Sequence, residues 1–457
     1  MSDAGATHPL RGVDARHHLH PFVDARVLEA EGPRVVTRGE GVYVEDDTGR
    51  RYLDGMAGLW CVQVGYGRRE LVEAASRQLE RLPYYNTFFG TTSEPLVELV
   101  DRLRSRTPPG LDRFVFANSG SEAIDTVVRL IRHYWASVGR PERTIVIGRT
   151  LGYHGSTCVG ASLGGMAAMH AQGGLPLPGF AHVPAPYPFE DAGALDPETY
   201  GTQVADALEE KILALGPERV AAFVGEPLLG AGGVIVPPAT YWPRVQAICR
   251  RHDVLLVADE VICGFGRTGR MWGCETFGIE PDAITMAKGL TSGYIPMSAV
   301  ALSSRIADAL RDAGVLQHGF TYSGHPVAAA VAVANLDVIE RDRLIEGVRE
   351  TTGPRLEAQL SPIAAHPLVG EARRCGLIAG LELVVPGTRR ERFPPVGRAG
   401  AVLRDACLEA GLVVRAIRDG IALCPPLSIR PEEIDELGAR LRTGLDRAAE
   451  RLADPSP

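Results

Sequence analysis

The sequence predicts an α/β fold: a large domain with a mostly parallel sheet flanked by helices, joined to a smaller α+β domain. Three observations carry that prediction. From Arg113 onward the runs RFVFAN, RTIVIG, AAFVGEP, VLLVADEV and AITMAKG are short, apolar and rich in β-branched residues, and most are separated by helix-length segments. After Gly324 this rhythm stops, at the long Ala-rich helical stretch GHPVAAAVAVANLDVIERDRL, and shorter strand and helix patterns follow. The length of 457 residues suits two or three structural units. These divide the chain into an N-terminal arm with part of the small domain (1–64), a large domain (65–324) and a C-terminal small domain (325–457).

Residues 1–21 are polar and carry His8, His17, His18 and His20. A metal site is conceivable there, but the segment reads as a leader or an interface arm, and no metal is assigned to the chain. Residues 41–55 (GVYVEDDTGRRYLDG) alternate like a hairpin around DDTGR. Residues 69–106 hold two helical patterns flanking PYYNTFFGTTSE, whose aromatics are either core plugs or walls of an apolar pocket. In the C-terminal part, AGLELVVPG and GLVVRAIRDGIALCPPL read as strands with a turn at RDG. A helix then starts at Pro431, with acidic residues suited to its dipole. This part is expected to pack with the N-terminal hairpin.

Composition excludes several roles. A formal net charge of -8 with no basic run argues against a nucleic-acid partner. No apolar run is long enough to span a membrane, and the first residues lack the cationic and apolar regions of a signal peptide. The eight cysteines are scattered, with no CxxC and no zinc spacing, as buried thiols of a reducing compartment would be. Cytoplasmic residence is the default expectation.

The chain holds only two lysines among its 48 basic residues, Lys211 and Lys288. Lys211, in ALEEKILAL, reads as the solvated face of a helix. Lys288 ends the apolar run AITMAKG before a glycine, where partial desolvation would lower the amine's pKa and favour nucleophilic work. The competing reading is a lysine that snorkels at a strand end. Asp259 closes VLLVAD 29 residues earlier. A carboxylate fixed beneath a pyridine ring keeps the ring nitrogen protonated; the competing role is a strand-end acid capping a helix. Lysine imine and pyridinium-holding aspartate together are how a protein uses pyridoxal phosphate as an electron sink.

Weaker signals fall in order along the same sheet. In FANSGSEAID, Ser119, Gly120 and Ser121 open a helix and offer N–H groups and a hydroxyl to an anion, or simply cap the helix. GYHG places Tyr153 and His154 beyond a strand end, for stacking on a flat cofactor or for core packing. EPLLGAGG puts Glu226 at a strand end before a glycine loop, able to orient other groups. FTYSGHP offers Thr321, Tyr322 and Ser323 to a phosphate or to a local turn.

The ordered set NSGSEAID, YHG, EPLLGAGG, LLVADEVICGFGRTG, AKGLTSGYIPM and TYSGHP resembles the class III aminotransferases, pyridoxal-phosphate enzymes of fold type I, from about Phe22 to Pro426. DGMAGLWCVQVGYG, PYYNTFFGTT and GLVVRAIRDG further resemble the omega-transaminases, which pass amino groups between amines and pyruvate. The resemblance implies pyridoxal 5'-phosphate held by Lys288 as a Schiff base, with Lys288 also shuttling the substrate proton. It implies Asp259 on the pyridine nitrogen, Val261 and Tyr153 on the two ring faces, and Glu226 in an orienting role. Gly120 and Ser121 would hold the phosphate from one subunit and Thr321 from the other, so the site implies a homodimer, with dimer against tetramer left open.

Phe22, Leu59, Trp60, Phe88, Phe89 and Ala231 would line an apolar substrate pocket. Arg415 would swing in for a substrate carboxylate and out for an apolar amine, with Arg418 its rival. The expected reaction is ping-pong transfer from an amine or omega-amino compound to an oxo acid such as pyruvate. The alternatives are a pyridoxal-phosphate aminomutase, racemase or decarboxylase, and a donor that is a β-amino acid, a diamine or a secondary-metabolite amine. A binding protein that lost its chemistry is disfavoured by the presence of both Lys288 and Asp259. A nucleotide-dependent dehydrogenase would want GxGxxG between strand and helix, which is absent in that setting.

Overall fold

The computed structural model describes residues 8–453. Residues 1–7 of the predicted leader and residues 454–457 lie outside the described residues. Where a leader or interface arm was expected, Arg11–His17 forms a helix, tied down by Asp14, whose carboxylate bonds the rings of His18 (3.2 Å) and His20 (2.6 Å). The expected hairpin follows. Strands β1 (Val36–Glu40), β2 (Tyr43–Asp46) and β3 (Arg51–Asp54) pair antiparallel in sequence order. Asp46 organises the β2–β3 turn by accepting from Thr48 N and Arg50 N.

The central sheet contains β4 (Leu111–Ala117), β5 (Ile145–Arg149), β6 (Phe180–Val183), β7 (Val220–Gly225), β8 (Leu255–Asp259), β9 (Ala283–Met286) and β10 (Ser298–Ser303). Their spatial order is β4-β10-β9-β8-β7-β5-β6. All pairs from β9 to β6 are parallel, while β10 runs antiparallel to both β9 and β4. Every residue of β5, β7, β8 and β9 is buried, as expected of strands covered on both faces. The helix Gly120–Ser137 packs on β9 and β10 through Ile124, Val127 and Ile131, and its Trp135 indole donates to Ala221 O of β7 at 3.0 Å.

The five apolar runs all became strands; β6 and β10 had no counterpart in the sequence reading. Their composition explains the omission: β6 is a four-residue edge strand (FAHV), and β10 (SAVALS) carries a single β-branched residue, so neither shows a distinct strand pattern.

The Ala-rich helix Pro326–Arg341 leaves the sheet and packs on the helices Arg69–Arg81 and Glu94–Arg104, its small buried side chains (Ala328, Ala329, Ala332) permitting close approach. Beyond it lie β11 (Val369–Cys375), β12 (Ile378–Leu383), β13 (Leu412–Val413), β14 (Arg415–Ile417) and β15 (Gly420–Leu423). Four of these form an antiparallel sheet in the order β11-β12-β15-β14, while β13 pairs parallel with β3 and so joins the two ends of the chain. The helix Pro431–Ala453 follows. Among the described residues no helix is long and apolar enough to cross a membrane.

The parallel order has one consequence for chemistry. The carboxyl ends of β4, β5, β7, β8 and β9 open on one edge, where α/β sheets bind ligands. Asn118 follows β4, Tyr153 lies beyond β5, Glu226 follows β7, Asp259 ends β8, and Lys288 stands two residues past β9.

Candidate active site

Those strand ends enclose a cavity of about 140 Å³ lined by Gly120, Ser121, Tyr153, His154, Glu226, Asp259, Val261 and Lys288, with Gly155 and Ile262 between them. Seven residues that the sequence singled out for the cofactor therefore meet in one place. Lys288 takes a left-handed backbone, φ 42°, a conformation that a side-chain-bearing residue adopts at some cost and that turns it out of the strand line. Removal from water pushes its amine pKa down, against the smaller opposing pull of Cys61 and Asp259.

Asp259 is fixed from three sides. Its Oδ1 accepts from Val261 N (3.1 Å) and Thr285 Oγ1 (3.0 Å), and its Oδ2 pairs with Nδ1 of buried His154 at 2.7 Å. Because a carboxylate only accepts, the Nδ1 proton lies between them, and the His154 Nε2 has no partner among the described residues. The GYHG motif contains His154 without disclosing this contact; its signal in the sequence is a polar ring next to Tyr153. Glu226 accepts from Tyr153 N (3.2 Å) and Gly230 N (2.7 Å), the orienting use expected of it, and burial pushes its carboxyl pKa up.

At the helix end, Ser119 is a plain N-cap, its Oγ accepting from Glu122 N at 3.2 Å. The next two residues face the cavity. Ser121 Oγ accepts from Ser156 N (3.1 Å), which leaves its own hydrogen free to donate. A Cβ on Gly120 would stand 3.2 Å from Val261 Cγ1, so glycine keeps the helix N-terminus open to the cavity. A helix N-terminus for an anion, a fixed carboxylate and a desolvated amine are together the donor set that a phosphorylated pyridine aldehyde requires.

Above this floor, Trp60 is 1% exposed and Ala231 packs in the same apolar cluster. Arg415 Cζ lies 4.8 Å from the Trp60 ring centroid and Lys288 Nζ 5.7 Å from it. The rival Arg418 is exposed and turns instead to the Tyr187 ring, 5.3 Å away.

The remaining predicted residues are not brought to the cavity within one chain. Phe22 (76% exposed), Leu59 (55%) and Phe89 (98%) stand in the open, as does Thr321. Phe88 and Phe89 instead line a separate groove with Gly319 and Ser323, and the Tyr84 hydroxyl donates to Thr321 O, binding these two loops to one another. The aromatics of PYYNTFFGTTSE are therefore not core plugs, since none is fully buried. Ser323 Oγ accepts from Phe320 N at 3.0 Å, the local turn that was the alternative reading of FTYSGHP.

The sequence profile of the family described as Aminotransferase class-III matches residues 27–445. The chain is 51% identical to putrescine–pyruvate aminotransferase of Pseudomonas aeruginosa, over 95% of each chain. It is 40% identical to diaminobutyrate–2-oxoglutarate transaminase of Halomonas elongata, over 96% of this chain and 94% of the other. Among solved structures, the omega transaminase from Pseudomonas jessenii in complex with PMP superposes with a TM-score of 0.95 at 42% identity, covering 98% of this chain and all of the other.

Proposed function

The chain belongs to the class-III aminotransferases, and from that premise we propose that it moves an amino group from a diamine or related alkylamine to pyruvate, using pyridoxal 5'-phosphate. The observation that carries this reading is the convergence of Lys288, Asp259 and the Gly120–Ser121 helix end on one cavity. The donor and acceptor are suggested by the 51% identical putrescine–pyruvate relative.

When bound, the cofactor supplies an electron sink for the carbon from which a proton is removed. The protein's own groups do the rest. Lys288 would hold the cofactor, would give way to the incoming amine and would carry the proton from substrate carbon and back, a task suited to an amine whose pKa is lowered by burial. Asp259, held by His154, Thr285 and Val261, presents a fixed negative charge to the ring nitrogen. Gly120 and Ser121 would hold the phosphate, and Tyr153 and Val261 would flank the ring. Arg415, which has no ion pair among the described residues, is available to a substrate carboxylate in the acceptor half-reaction.

The assembly is read as a homodimer whose sites are shared, with Thr321, Phe22, Phe88 and Phe89 acting on the second copy's cavity. The exposure of Phe22, Phe89 and Thr321 in a single chain supports this.

The test follows absorbance of the holoenzyme while 1,4-diaminobutane and then pyruvate are added. The visible band of the lysine-bound cofactor should bleach with the amine and return with pyruvate, with alanine as product. Bleaching that persists, or amine conversion independent of an oxo acid, would replace this reading with another acceptor or with an isomerase.

A further inference from the structure

Trp60 differs from the other tryptophans of the chain. Trp135, Trp242 and Trp272 donate their indole N–H groups to the carbonyls of Ala221, Pro227 and Arg106, at 3.0, 2.8 and 2.6 Å. Trp60 is equally buried, yet its indole N–H has no acceptor among the described residues. Buried core tryptophans normally find one. What Trp60 has instead is the Arg415 guanidinium over its ring, with Cζ at 4.8 Å and so inside the roughly 6 Å range of cation–π attraction, and the desolvated Lys288 amine at 5.7 Å.

Arg415 is held by little else. Its guanidinium makes no hydrogen bond and no ion pair among the described residues, and burial disfavours its charge against the milder pull of Tyr153 and Glu226. A half-buried guanidinium whose close electrostatic neighbour is an aromatic ring can be exchanged for another cation with small loss. It cannot be exchanged for an apolar group on the same terms, because the ring and the nearby Glu226 carboxylate favour positive charge.

Resting on the amine-donor reading above, we infer that the Trp60 ring is a cation seat, filled by Arg415 at rest and by the distal ammonium of a diamine when Arg415 swings away. Lys288 lies over the same ring, so a donor whose first amine takes the place of the Lys288 amine runs alongside Trp60, and a second ammonium several carbons away comes to the place Arg415 leaves. Trp60 thereby selects for charge at the far end of the donor as well as walling the pocket. Arg415 serves as the internal substitute that keeps the seat occupied between turnovers.

Two pairs of isosteres test this on the holoenzyme. Choline and 3,3-dimethylbutan-1-ol have the same shape, cannot form an imine, and differ by one positive charge. As competitive inhibitors against the amine donor, choline should win by about tenfold in the wild type, the size of one partly desolvated cation–π contact. That preference should vanish in Trp60→Leu, survive in part in Trp60→Tyr, and grow in Arg415→Leu, which leaves the seat vacant.

In turnover, 1,4-diaminobutane should lose about tenfold more kcat/KM than 1-aminopentane when Trp60 becomes Leu. Equal inhibition by choline and the alcohol in the wild type would overturn the seat. So would a Trp60→Leu effect that is the same for charged and uncharged members of each pair. If the transaminase reading itself fails, the wild type turns over neither amine with pyruvate while the inhibitor comparison still reports on the seat.

Discussion

The floor of the cavity and its aromatic rim are built by different means. On the floor, Asp259, Glu226 and His154 are buried, stand at or just beyond strand ends and are fixed by hydrogen bonds within one chain. On the rim, Phe22, Phe89 and Thr321 lie on connecting segments and Leu59 on the kinked helical turn Ala57–Trp60, and all four face solvent. A phenylalanine that is 98% exposed in a left-handed backbone has neither packing nor backbone ease to account for its place. The difference teaches that one chain by itself fixes the floor groups, whereas on this reading the rim, Thr321 included, is completed by a second copy. A floor mutation should therefore act on every substrate alike, and a rim mutation on some substrates or on assembly.

Lys288→Ala is the strongest test of the floor. Turnover with every donor and acceptor should fall by about 10⁴-fold or more, since on the proposed reading one amine is both nucleophile and proton carrier. The protein should still fold, because removing a desolvated amine from a cavity wall leaves the sheet intact; circular dichroism and the melting temperature check this. Residual turnover near that of the wild type would mean the floor is not where the chemistry occurs.

Legibility in the sequence followed the same divide. Strands covered on both faces announce themselves as apolar β-branched runs, so β5, β7, β8 and β9 were read directly, and the half-exposed edge strand β4 through its own apolar run FVFA, and with them the positions of Asn118, Glu226, Asp259 and Lys288. The Ala-rich β10 and the short edge strand β6 were not, because period and composition do not separate such runs from helix or loop. His154 was visible as a letter but not as a partner, since its contact with Asp259 spans 105 residues of chain and exists only once β5 and β8 are aligned in the sheet. Whether an exposed aromatic is a wall, a plug or an interface depends on what covers it, which spacing along one chain does not encode.

Arg415 stands between the two regions and sharpens the comparison. Arg415→Ala should cost the carboxylate-bearing acceptor about 1.5–3 kcal/mol in kcat/KM, as a charged hydrogen bond is lost, while sparing 1,4-diaminobutane. Arg418→Ala is the control. Exposed and set against Tyr187, it should change neither substrate beyond about 0.5 kcal/mol. If the two variants behave alike, the carboxylate is held elsewhere, and Arg415 belongs with the structural arginines of the small sheet.

The smallest expected effect falls on the rim itself and reads assembly before activity. Phe89→Ser removes a side chain that makes almost no contact within its own chain, so the intrinsic stability of the isolated chain should stay within about 0.5 kcal/mol of the wild type. If a second copy covers that ring, the dimer dissociation constant measured by sedimentation should rise, by about 1 kcal/mol or more for an aromatic at an interface. Activity should then fall with dilution in the variant at concentrations where the wild type holds. The dependence on concentration distinguishes assembly from pocket shape: a wall of the same chain's pocket would change KM equally at every dilution. Unchanged association and unchanged KM together would remove Phe89 from both roles and leave the floor, with Trp60 and Arg415, to determine which amines are accepted.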